Sequence, residues 1–178
     1  MFKQLIKRLG IIILFLVTPH LSFAQDFEYK VKAEFLERFT RFIEWPDDSP
    51  LNNPDKPFCI CVAGKNPFGS YLEEMAGQVK IKGKAVEIHQ IEELPKELPK
   101  CQILFIAQSE KDKLGDILKL TDGKPILTVG DTDGFAEDGV LLNFFTSGNY
   151  IRFEVNIDRA EKSKLKFSSR LLKLAKLV

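Results

Sequence analysis

Three short, almost uninterrupted apolar runs constrain the fold of this chain more than any other feature. They are FCICVA at 58–63, ILFIA at 103–107 and ILTV at 126–129. Each is too brief for a helix buried on all sides. Gly64 closes the first, and Gly123-Lys124-Pro125 precedes the third. Runs of this kind read as strands buried on both faces, which occur in parallel sheets covered by helices.

The intervening segments supply those helices. Residues 71–76 have helical spacing, and 85–91 alternate as a further strand. Ser109 is placed to cap a helix over 110–120, whose Leu114, Ile117, Leu118 and Leu120 are apolar. Ahead of the first run, Phe27, Val31, Phe35, Phe39 and then Phe42 or Ile43 recur at helical spacing over 27–45. Glu28–Lys32, Glu34–Arg38 and Glu37–Arg41 form i,i+4 acid–base pairs expected on its outer side. Pro46 ends that helix at Trp45, and 47–57 reads as a loop. After a loop at 131–139, strands at 140–145 and 150–155 are joined through Thr146-Ser147-Gly148-Asn149 as an antiparallel hairpin. A short helix is expected at 158–164. A final helix at 170–178, capped by Ser168 or Ser169, presents Leu171, Leu172, Leu174, Ala175 and Leu177 as its apolar face. The fold class is therefore α/β: a largely parallel sheet flanked by helices on both faces, with a C-terminal antiparallel hairpin and terminal helix.

The N-terminus specifies the compartment. Lys3, Lys7 and Arg8 precede an apolar stretch of about ten residues, half of what a spanning helix needs, and Ser22-Phe23-Ala24 follows. This pattern predicts a secretory signal peptide over 1–24, cleaved after Ala24, and a single periplasmic domain over 25–178. That domain carries 23 basic and 25 acidic residues, a formal charge of −2, which gives no case for nucleic-acid binding. In an oxidising compartment the three cysteines, Cys59, Cys61 and Cys101, imply one bridge and one thiol left over. Cys61 can staple two neighbouring strands through Cys101. Cys59, two residues away on the same side of the strand, is an alternative partner.

No catalytic constellation emerges. Gly64-Lys65-Asn66-Pro67-Phe68-Gly69 sits where a phosphate loop would, but Ser70 and Tyr71 stand where Lys and Ser or Thr are required; it reads as a strand-to-helix turn. Asp131, Asp133, Glu137 and Asp138 crowd one loop without the ligand spacing of a calcium loop, and a solvated loop is the plainer reading. His89 is the only histidine of the exported domain. No multi-histidine zinc site can be built from it, and it reads as an exposed strand residue. Neither a cofactor nor a resident metal is expected, and the chain does not read as an enzyme. Lys162, Lys164, Lys166, Arg170, Lys173 and Lys176 lend the C-terminal segment a basic side.

Five segments in this order and spacing resemble the YfiR-like family of periplasmic proteins. They are Val31-Lys32-Ala33-Glu34-Phe35-Leu36 leading to Phe42-Ile43-Glu44-Trp45-Pro46; Phe58-Cys59-Ile60-Cys61-Val62-Ala63-Gly64; Cys101-Gln102-Ile103-Leu104-Phe105-Ile106; Pro125-Ile126-Leu127-Thr128-Val129 with Gly134-Phe135-Ala136; and Ile151-Arg152-Phe153-Glu154-Val155-Asn156-Ile157. The resemblance implies a homodimer that represses the periplasmic region of an inner-membrane diguanylate cyclase, or serves a sensor histidine kinase, and so controls cyclic-di-GMP and biofilm formation. It also implies a Cys61–Cys101 disulfide. No cysteine follows Cys101, so the second bridge of better-known members has no counterpart. Where some members use an Arg and a His to hold a small aromatic molecule, this chain has Lys166 and Ser168; lysine lacks the planar fork and serine has no ring. Glu154, Lys166, Ser168 and Arg170 are the residues expected at the partner or ligand surface.

Overall fold

The computed structural model describes residues 20–47, 49, 51 and 53–178, with side chains from residue 27 onward. The expected signal peptide lies outside the described residues except for residues 20–24, which begin the first helix. The elements in chain order are α1 (His20–Thr40), β1 (Ile43–Glu44), β2 (Phe58–Ala63), α2 (Tyr71–Gln78), β3 (Val86–Ile91), β4 (Ile103–Ile106), a 3₁₀ turn (Gln108–Lys113), α3 (Leu114–Thr121), β5 (Leu127–Gly130), β6 (Leu142–Ser147), β7 (Tyr150–Val155), α4 (Ile157–Lys162), β8 (Lys166–Phe167), α5 (Ser169–Leu172) and β9 (Lys176–Leu177).

The three apolar runs become β2, β4 and β5 in the centre of a seven-stranded sheet ordered β3-β2-β4-β5-β6-β7-β9. The strands from β3 to β6 are parallel; β7 folds back against β6, and β9 runs parallel to β7. The chain reverses direction across the sheet between β2 and β4, giving a doubly wound arrangement. Alternation along each strand separates two cores. Phe58, Ile60, Val62, Phe105, Val129, Phe144 and Phe153 point to the face covered by α1 and α2. Cys61, Ala63, Leu104 and Ile106 point to the face covered by α3 and by Phe135 and Val140.

The hairpin is tighter than expected: Ser147 pairs with Tyr150, leaving only Gly148 and Asn149 in the turn. Gly148 takes φ +61°, as a type II′ turn requires at its first central position.

Four local expectations are corrected. The first helix stops at Thr40, and Ile43–Glu44 pair with Phe167 and Lys166 as a two-stranded ribbon. Ser109 does not cap a helix. Its Oγ accepts the Lys65 N–H at 2.9 Å, and the segment starts as a 3₁₀ turn. The basic group of Lys32 is not on an outer face: Lys32 is 4% exposed and its ammonium lies 2.6 Å from Glu28 and 2.8 Å from Asp131. Finally, the 170–178 helix shrinks to the single turn of α5, and Lys176–Leu177 join the sheet instead. An edge strand with unpaired N–H and C=O groups can outcompete helical spacing for a short terminal segment.

Candidate partner-docking surface

Three of the four expected surface residues, Lys166, Ser168 and Arg170, fall on one continuous strap, 166–178, that closes the far edge of the sheet. It starts where Lys166 pairs with Glu44, turns through α5, and ends on β7, where Glu154 lies opposite Lys176 and Val155 opposite Leu177. Ser168 anchors the turn. Its N–H donates to the Phe42 carbonyl at 2.9 Å, and its Oγ accepts the Leu171 N–H at 3.2 Å. The Ser168 hydroxyl thus serves as a helix cap. Arg170 and Lys166 are exposed.

Glu154 lies beneath this surface rather than on it. It is 6% exposed and accepts from the Lys176 ammonium at 2.6 Å. That hydrogen bond, reinforced by the carboxylate's charge, holds the Lys176 ammonium above the ordinary lysine range. Lys176 also lies 5.8 Å from the centre of the Phe145 ring.

Two residues that sequence reasoning assigned to a buried helix face are solvent-facing instead. Leu174 is 67% exposed and Leu177 53%, while Leu171 is buried and holds α5 to the core. Tyr150, at the hairpin turn, is 71% exposed. Exposed leucines in a segment that also carries exposed lysines and an arginine have the composition of a protein-docking patch, apolar side chains with polar ones around them. The sequence signal was present in the leucines, but only the pairing of β9 with β7 reveals which way they face.

The cysteines gather at the opposite side of the sheet. All three are thiols in this structure. Cys61 and Cys101 are buried in one cluster, close enough for their thiols to interact. The interaction with Cys101, followed by burial, pushes the Cys61 thiol well above the ordinary range, so it keeps its proton at neutral pH. Cys59 is half-buried on β2, and burial raises its pKa as well.

Two other regions named by the sequence are filled by the chain itself. At the carboxyl ends of β2 and β4, where doubly wound folds often bind ligands, Gly64 adopts φ +85° and packs against Ser109 and Glu110; a Cβ there would collide with the Ser109 Oγ. The Glu110 carboxylate receives Lys113 at 3.1 Å. In the acidic loop, Asp131 is committed to Lys32, whose ammonium also lies 4.5 Å from the centre of the Tyr29 ring. Burial and the Asp131 charge together push the Tyr29 phenol upward. This buried pair ties α1 to the end of β5.

No helix among the described residues is long and apolar enough to cross a membrane. No curated protein matches the chain. The model of the YfiR/HmsC-like family matches residues 29–176, running from the first helix through the strap.

Proposed function

The chain belongs to the YfiR/HmsC-like family, and from that membership we propose that it is a periplasmic regulator of an inner-membrane diguanylate cyclase, binding the enzyme's periplasmic region and holding it inactive. The observation that carries this reading is the family match over residues 29–176; the exposed Leu174 and Leu177, on the same strap as the exposed Lys166, Lys173 and Arg170, supply a surface suited to it. Repression requires no reactive group. A regulator that prefers the inactive state shifts the equilibrium about tenfold for each ~1.4 kcal/mol of preference.

We further propose that Cys61 and Cys101 close as a disulfide after export. The two thiols are buried in one cluster and interact there, and the chain-entropy estimate for a loop of this span is about 4 kcal/mol.

The test uses the double substitution Leu174→Asp and Leu177→Asp. Both side chains are exposed, so the melting temperature should stay close to that of the parent. Cyclic-di-GMP should rise to the level of a gene deletion, and crosslinking to the cyclase should be lost. Unchanged cyclic-di-GMP on deletion of the gene overturns the cyclase reading, and crosslinking to a sensor kinase in that strain redirects it. Retained repression by the double variant moves the docking surface elsewhere.

A further inference from the structure

Cys59, Glu87 and His89 are brought together by strand register alone. β2 and β3 run parallel with Cys59 opposite Glu87 and Cys61 opposite His89, so the side chains of Cys59, Glu87 and His89 project to the same side of the sheet. The Cys59 Sγ, a Glu87 carboxylate oxygen and an imidazole nitrogen of His89 all lie within 4.8 Å of one another. The His89 Nε2 is 3.4 Å from the Glu87 Oε2. The three line a solvent-open cleft of about 570 Å³, with Lys56 and Lys100 also in its wall.

We propose that Cys59, Glu87 and His89 form a site for a borderline divalent cation, with Zn²⁺ the fitting ion. Thiolate, imidazole and carboxylate are the three donor types that zinc takes from proteins, and three protein ligands leave a fourth tetrahedral position for water. Ordinary zinc bond lengths place tetrahedral donors roughly 3.4–3.6 Å apart, so the present atoms need to close by only about 1 Å. Glu87 and His89 can make that movement, because both are exposed on β3, the edge strand of the sheet. Cys59, half-buried at the rim of its cluster, is held through its Sγ among the described residues by no stronger hydrogen bond than a weak 4.0 Å one to the Pro57 carbonyl.

Charge also balances. One thiolate and one carboxylate neutralise a divalent ion, so Lys56 and Lys100 face a neutral complex. Forming the Zn–S bond releases the Cys59 proton to solvent, and no oxidant or reductant takes part. If Cys61 and Cys101 are joined, Cys59 is the thiol left over, and metal ligation gives it a partner on its own side of the sheet. The site does not depend on the proposed repressor role and fails or stands separately from it.

The experiment uses the exported protein purified from the periplasm, titrated with Co²⁺ as a spectroscopic stand-in and then with Zn²⁺ as competitor. Expected are one ion per chain, a thiolate-to-cobalt charge-transfer band that zinc abolishes, and one proton released per ion. Cys59→Ser should eliminate the band. Cys59→Ser and His89→Gln should each weaken zinc binding by about tenfold or more, with Glu87→Gln smaller. In the parent protein, zinc should also protect Cys59 from alkylation, a readout that needs no variant. The proposal is overturned by the absence of saturable binding, by binding without the charge-transfer band, by zinc affinity unchanged in Cys59→Ser and His89→Gln, or by peptide mapping that finds Cys59 in a disulfide.

Discussion

On one face of the sheet, α1 and α2 cover a core in which Phe39 lies 5.6 Å from Phe144 and 5.0 Å from Phe153, and Phe68 lies 4.7 Å from Phe105. On the other, α3 covers a smaller cluster whose only buried phenylalanine is Phe135 and whose remaining members include Cys61, Cys101 and Ala63. The aromatic face gains its stability from apolar area and from ring pairs at tilted or edge-on angles, neither of which depends on the surroundings. The thiol face has less area to bury. Its stability is therefore the part that the proposed Cys61–Cys101 bond would raise, and that would then vary with the redox state of the surroundings. With that bond in place, a single sheet carries one unconditional and one conditional core.

The sharpest challenge to that contrast is a large-to-small change on the aromatic face. Phe144→Ala should destabilise the protein by about 3–5 kcal/mol, equally with and without reductant, as read by urea unfolding at matched pH. A loss that depended on reductant would mean that the two cores are coupled. Next in size is the bridge itself. Oxidised protein should lose up to about 4 kcal/mol on full reduction, and Cys61→Ala should unfold at the same urea concentration in both conditions. If reduction leaves the parent unchanged, the thiol face needs no cross-link, and the contrast reduces to size alone.

Much of this architecture is legible in the residues, for a physical reason. The runs that became β2, β4 and β5 are buried on both faces, so nearly every position in them must be apolar. The hairpin and the helical spacing of Phe35 and Phe39 are equally local signals. What local spacing cannot show is a partner far along the chain. Glu28 and Lys32 have the spacing of a surface pair, yet the ammonium is held by Asp131, 99 residues away. Leu174 and Leu177 have the spacing of a buried helical face, but pairing with β7 turns them outward. The cluster of Cys59, Glu87 and His89 escaped for the same reason. A search for several histidines passes over a mixed donor set assembled across a 28-residue separation by parallel register. Ser168 reads from the sequence both as a cap and as a ligand contact, and the structure uses its hydroxyl for the first.

The strap that carries the candidate docking residues belongs to the aromatic face, through the burial of Leu171 and of Leu165 just ahead of it, and Ser168→Ala measures how firmly. A helix of one turn has almost no stability of its own, so α5 depends on Leu171 and on the cap. Removing the Ser168 Oγ leaves the Leu171 N–H without its acceptor and should cost about 1 kcal/mol, well below either core change. The effect should also be local. The Val178 N–H still donates to Val155 at 3.0 Å and the Ile157 N–H to Val178 at 3.1 Å, so β9 stays tied to β7 from its far end. Hydrogen exchange should therefore quicken at Leu171 and Leu172, whose N–H groups face the Oγ and carbonyl of Ser168, while amides of β6 and β7 keep their protection. If β7 loses protection as well, the strap unfolds together with the aromatic core. Its exposed leucines would then be fixed by global folding rather than free to adjust to a partner.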